Sequence, residues 1–384
     1  MRLFKMEFYK ITARPVMNLA LLAMIGFFLF ILYQEASGTR TEIDGTVYQG
    51  LEAVRQDRRL AKEYEGPFTM EKAEAIAERF GFSGYIGREN MEYAVVREGN
   101  FCSQFVTDKL TDFLQTEQRP SGFSSGDTWE NYGKYFVSGE FQFGYTRGWE
   151  KLQDIWHLAV TSLNIWLILM AAPVFSEEYS RNTTEILLTT NQGKSRDIRR
   201  KIEAAMGLGC MVCVLMMVLL FVMTGVLYGW DGLEASAGIA LPRADYGSIG
   251  NFLGLLFLAG LVSVLLNVGI TLFLSSKCRR PVSAVTAGVI LFVLPFGVDR
   301  VLFPMLLGMG TANYYWGWVF MDLMRVSCYS MPVYLPHPGI YTVPPQWLRY
   351  IPVIATMTLG ITVWRGHQNY RHSGMGRRYY SGDI

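Results

Sequence analysis

Six apolar stretches recur along the chain of 384 residues: Val16 to Tyr33, Ile155 to Phe175, Met206 to Trp230, Phe252 to Leu274, Val282 to Leu307 and Tyr350 to Trp364. A helix rises about 1.5 Å per residue, so each stretch is long enough, or nearly so, to cross a hydrocarbon core of about 30 Å. The pattern predicts an all-α polytopic membrane protein with six transmembrane helices. Between the first two stretches lies a long mixed segment, and its apolar positions recur at helical spacing. Tyr48, Leu51, Val54 and Leu60 mark one helix; Met70 to Phe80, introduced by Thr69 and followed by Gly81, marks a second; Phe101, Phe105, Leu110, Phe113 and Leu114 mark a third. From Arg119 to Arg147 Ser, Gly and aromatics replace the periodic pattern and predict loops. The domains expected are therefore 1–33 (an interfacial helix and the first span), 34–154 (a mainly helical domain) and 155–384 (the remaining spans).

The first apolar stretch runs into Tyr33, Gln34 and Glu35 without a small-residue cleavage pattern, so it reads as a retained anchor. Ahead of it, Leu3, Phe4, Phe8 and Ile11 interleave with Arg2, Lys5, Lys10 and Arg14, which suits a helix lying at the membrane interface. The segment Gly308 to Trp347 mixes many aromatics with Asp322, Arg325, Pro332, Pro336 and Pro338. It fits a re-entrant segment before the last span, or equally an aromatic interfacial loop.

One polar stretch does not behave as a solvated loop. Phe175 to Lys201, FSEEYSRNTTEILLTTNQGKSRDIRRK, carries Ile186, Leu187 and Leu188 in its middle. Asn182 with Glu185 three residues on reads as a helix cap, Gly193 as a stop, and Ser195 as the cap of the helix that follows. Three consecutive apolar residues cannot all face one lipid surface, so part of this edge needs a protein partner; an amphipathic turn lying on the membrane is the alternative.

Charge orients the chain. Lys and Arg crowd 1–15, 176–206, 277–280 and 365–384, whereas 230–250 and 300–348 hold only Arg243, Arg300 and Arg325. The positive-inside bias places both termini and the 176–206 segment in the cytoplasm, and 34–154 outside. The outer segment is acidic and the remainder basic, a separation hidden in the net charge of +2. A basic remainder at membrane ends matches anionic lipid headgroups rather than nucleic acid.

Several chemistries are excluded by spacing. Gly193-Lys194-Ser195 lacks the preceding glycine of a phosphate-binding loop, where Leu188 stands instead. Glu177, Glu178 and Arg181 resemble the paired-glutamate motif of CAAX-type intramembrane proteases, but His157, His337, His367 and His372 all lie away from mid-membrane. Cys210 and Cys213 have CxxC spacing without a second pair, which favours packing over metal. Cys102 and Cys328 fall on the same side and could pair, though sequence alone does not decide it. Asn164 and Asn267 lie within apolar spans and read as helix contacts, with a place along a pathway as the other reading.

The stretch Phe175, Glu177, Glu178, Tyr179, then Asn182-Thr183-Thr184-Glu185-Ile186-Leu187-Leu188-Thr189-Thr190, then Gly193-Lys194-Ser195 and Lys201, resembles the ABC-2 type permease subunits of bacterial ABC transporters. Asn182-Thr183 departs from the Gly-Thr step common in that pattern. The resemblance implies a non-catalytic subunit of the bacterial plasma membrane, with no cofactor of its own. ATP and Mg would be bound by a separate ABC ATPase subunit docking on Glu177, Glu178, Thr183, Glu185, Ile186, Leu187, Leu188, Gly193 and Lys194. It also implies a second permease half, as a homodimer or heterodimer, and more commonly export than import, of an amphipathic substrate such as a peptide antibiotic or lipid. The residues by themselves leave a different class open, a non-transporting membrane sensor or assembly scaffold built on the outer domain.

Overall fold

The structure, a computed structural model, describes residues 2–80, 99–106, 142–190, 193–237, 247–297 and 351–373. It is mostly helical with little sheet. In order come α1 (Arg2–Thr12), α2 (Pro15–Ser37), β1 (Arg40–Ile43), β2 (Thr46–Gln49), α3 (Gly50–Glu63), β3 (Gly66–Pro67), α4 (Met70–Phe80), β4 (Gln142–Phe143), α5 (Arg147–Ala171), α6 (Pro173–Ser180) and α7 (Thr184–Thr189). A π-helical turn (Gly193–Asp197) then leads into α8 (Ile198–Tyr228), α9 (Ile249–Lys277), α10 (Pro281–Gly297) and α11 (Ile351–His372).

Among the described residues four helices are long and apolar enough to cross a membrane: Pro15–Ser37, Arg147–Ser180, Ser195–Tyr228 and Ile249–Lys277. They coincide with the first four expected spans. Their free surfaces suit hydrocarbon, with Leu19, Leu22, Phe27 and Phe30 exposed on α2 and Met211, Val214, Val218 and Val222 on α8. α10 is apolar over its 17 residues, and α11 is less so, its second half carrying Arg365, His367, Arg371 and His372. The rest of the expected fifth span and the Gly308 to Trp347 segment lie outside the described residues.

The chain divides into two compact units, one of Met1–Phe27, Trp156–Val218 and Leu256–Ile384, the other of Phe28–Ile155 and Leu219–Leu255. In the second unit, Asp44-Gly45 takes positive φ at both turn residues and closes the antiparallel hairpin β1–β2, with Thr41 opposite Tyr48. Tyr48 is therefore a strand residue, and the helix expected from it begins at Gly50 instead. β3 pairs with β4, which brings Phe68 within 5.4 Å of Phe143, ring centre to ring centre, in an aromatic core shared with Phe101, Phe105 and Tyr145. Asp57 is fully buried beside it, accepting from Thr41 Oγ1 at 2.5 Å, the Phe101 N–H at 3.2 Å and Arg147 Nη1 at 2.9 Å. Burial pushes its carboxyl above the ordinary range, against the pull of Thr41 and Arg147. Cys102 is a free, buried thiol in this core, and burial raises its pKa well above that of an exposed thiol. Cys328, its candidate partner, lies outside the described residues.

In the first unit, polar side chains join helices that are otherwise apolar. Asn164 Nδ2 donates to Ser263 Oγ at 3.3 Å, and Asn267 Nδ2 donates to the Asn164 carbonyl at 3.1 Å. Both asparagines are buried between α5 and α9, a helix contact in which each side-chain Nδ2 has an acceptor on the other helix. Trp166 Nε1 donates to the Met17 carbonyl at 2.9 Å and ties α5 to the start of α2. Pro173 has no N–H, so the helical ladder is broken between α5 and α6. Ser275 of α9 occupies the break: its hydroxyl donates to the Ala172 carbonyl at 2.5 Å and accepts the N–H groups of Phe175 and Ser176 at 3.0 and 3.1 Å. This seam fixes where α6 points, and α6 carries the candidate site.

Candidate docking and coupling site

α6 ends in a left-handed cap. Asn182 has φ of 54°; its N–H bonds the Tyr179 carbonyl at 3.2 Å, and the Thr183 N–H bonds the Glu178 carbonyl at 3.1 Å. That is the hydrogen-bond pattern of a helix C-terminus closed by a left-handed residue. Asn182 is thus the end of the preceding helix and not the cap of the next one. Thr183 precedes α7 and makes no side-chain capping bond. Asn is among the non-glycine residues that best tolerate this conformation. The departure from a Gly-Thr step at Asn182-Thr183 is therefore conformationally mild.

α7 is six residues long, too short to be stable alone, so its neighbours must hold it. Its apolar triplet is split by the helical turn. Leu188 is 5% exposed and packs inward with the buried Thr184; Leu187 is half-buried; Ile186 is 69% exposed and points away from the fold, alongside the exposed Glu185.

The exit from α7 also departs from the expected stop. Thr190 takes an extended conformation, donates from Oγ1 to the Leu187 carbonyl at 2.7 Å and accepts the Gly193 N–H at 3.1 Å. The chain then enters the π-helical turn, so Ser195 lies inside a turn rather than at a helix cap, with Gly193 at the turn's start and Lys194 next to it. Gly193 is required for contact: a Cβ there would stand 1.7 Å from the Leu187 carbonyl oxygen. Gly193→Ala is expected to push this turn off α7 at a cost of about 1–3 kcal/mol. Hydrogen exchange over 184–197 would rise with exchange in the 40–67 region unchanged; unaltered exchange at 184–197 would refute the close-contact reading.

The elements on either side of α7 share a buried ion cluster. Glu178 is 4% exposed and Lys201 1%. Their charged atoms are 3.2 Å apart. Glu178 also receives Lys10 of α1 at 2.9 Å and the Tyr370 hydroxyl of α11. Lys201 is bonded to Asp197 one turn back and lies 3.9 Å from Glu7 of α1. Burial pushes the Glu7 carboxyl up, with Lys201 and Lys10 pulling the other way. Glu177 is less buried and bonds Arg14 at 3.3 Å and Arg181 at 2.5 Å. Hydrogen-bonded ions whose central pair is buried hold a geometry that isolated surface pairs do not.

Of the residues singled out by sequence, Glu177 and Glu178 anchor the site from α6. Thr183, Glu185, Ile186, Leu187 and Leu188 form its projecting helix, and Gly193 and Lys194 form its exit turn. Asn164 and Asn267 are paired with each other elsewhere in the same unit. Glu7, Lys10, Asp197 and Tyr370 have no sequence motif. Only Asp197 and Lys201 were open to inference, through their i,i+4 spacing. Among the described residues no group of three or more His, Cys, Asp or Glu is placed to hold a metal ion. No family model, no curated protein and no solved structure matches this chain.

Proposed function

We propose that this chain is the permease subunit of an ABC transporter of the ABC-2 type. It sits in the bacterial plasma membrane with six spans and both termini cytoplasmic, and exports an amphipathic substrate such as a peptide antibiotic or a lipid. The chain is non-catalytic; a separate ATPase subunit binds ATP and Mg and docks on α7, and two permease halves enclose the pathway. The supporting observation is the asymmetry of α7: Leu188 is anchored inward while Ile186 stands 69% exposed on a helix held between the capped end of α6 and the π-helical turn. An exposed isoleucine on a rigid mount is what a groove in a partner protein can grip.

The anchoring makes the element suitable for transmitting force. α7 follows α6 after a closed cap and leads into α8 through a tight turn, so displacement of α7 displaces the ends of both long helices. A partner that grips α7 more tightly in one conformation shifts the equilibrium toward it by that difference in affinity. The test is purification of the tagged chain from its native host. An ATPase with a phosphate-binding loop, encoded beside it, is expected to co-purify and hydrolyse ATP in the complex. A chain that purifies without any such subunit, and whose neighbouring reading frames encode none, contradicts the proposal.

A further inference from the structure

Tyr370 lies 192 residues from Glu178 in sequence, in the last turn of α11, and is fully buried against α6. Its ring packs on Phe175 with centroids 4.7 Å apart and on Tyr179 at 5.5 Å. Phe175, Glu178 and Tyr179 fall at i, i+3 and i+4, so one face of α6 holds the whole tyrosine: two rings grip the apolar part and the carboxylate accepts the hydroxyl proton. α9 holds the same two helices. Tyr179 donates its hydroxyl to the Ser276 carbonyl at 3.2 Å. At Gly366 of α11 an added Cβ would stand 3.4 Å from Phe273 Cα, so α11 and α9 meet nearly backbone to backbone. The end of α6, the end of α9 and the second half of α11 thus form one packed block, and Tyr370 is the side chain by which α11 reaches the ion cluster.

We propose that Tyr370 is a positioning residue that makes the last helix a second receiver of the docking element's motion. Lys201 carries displacement of the docking segment into α8; Tyr370, through the same Glu178 carboxylate, carries it into α11. The inference rests on the permease reading, because it requires a partner on α7.

The experiment uses the full chain in lipid nanodiscs with the ATPase subunit encoded beside it, ATP and Mg, and reads amide hydrogen exchange by mass spectrometry. In the wild type, adding the ATPase should slow exchange at 184–190, and also by about tenfold at 366–373. Tyr370→Phe keeps both ring contacts and loses only the hydroxyl; it should retain protection at 184–190 and lose it at 366–373. Tyr179→Phe loses the hydroxyl's contacts with both Ser276 and Ser373 but keeps its ring and leaves Glu178 and Tyr370 joined, and should keep protection at both places. Protection at 366–373 that survives in Tyr370→Phe, or that is lost equally in Tyr179→Phe, overturns the role assigned to Tyr370. Absence of protection at 184–190 in the wild type instead overturns the docking reading itself, and the inference falls with it.

Discussion

Lys201→Met should be the most destabilising single substitution in the site, costing about 3–5 kcal/mol. Lys201 is 1% exposed and faces three carboxylates, Glu178, Asp197 and Glu7. Methionine fills nearly the same volume, so the loss is electrostatic rather than a cavity. With the ammonium gone, Glu178 keeps Lys10 and Tyr370, but Asp197 loses its Lys201 partner and the three largely buried acids repel one another. The thermal midpoint of the detergent-purified protein should fall by several degrees, with a matching drop in membrane yield. Lys201→Met combined with Asp197→Asn and Glu178→Gln should recover much of the loss, since removing both signs together is far cheaper than orphaning one. A midpoint unchanged in Lys201→Met would mean that the cluster is hydrated and does not hold α1, α6 and α8 together.

The long helices were legible because each depends on one property, sustained apolarity over about 20 residues. α2, α8 and α9 follow directly from it, and α5 with α6 does so despite Pro173, whose broken ladder Ser275 repairs. The hairpin β1–β2 was harder to read. Asp44-Gly45 is a hairpin signal, but the arms RTEI and TVYQ are four residues each and largely polar, so alternation is weak. At the site, the apolar triplet Ile186-Leu187-Leu188 signalled an unusual element, yet sequence could not say which of the three faces out, because a six-residue helix has too few turns to define a face. Asn182 is ambiguous in sequence for a related reason. A residue between two short helices can close the first or open the second, and Asn suits both; the sign of φ at Asn182 decides, and it is set by bonds back to Tyr179 and Glu178. The partners of Glu178 were invisible because Lys10, Lys201 and Tyr370 come from three distant segments, and pairing across such separations leaves no local spacing.

In the proposed function another protein grips α7 through Ile186. In the isolated chain this side chain is 69% exposed, so Ile186→Asp should change folding stability by less than about 0.5 kcal/mol. In a complex the same aspartate would be driven into an apolar groove without a partner, at a cost of several kcal/mol, enough to weaken binding by about a hundredfold or more. Leu187→Asp, half-buried, should act in the same direction with some loss of stability. Leu188→Asp, at 5% exposure, should impair folding instead, and so marks what a purely structural defect looks like. The most direct measurement is co-purification of the ATPase subunit with tagged Ile186→Asp, alongside the variant's thermal midpoint and membrane yield. The expected result is a normally inserted, normally stable chain that has lost its ATPase; a stable Ile186→Asp chain that retains the ATPase at wild-type stoichiometry would rule out docking through Ile186.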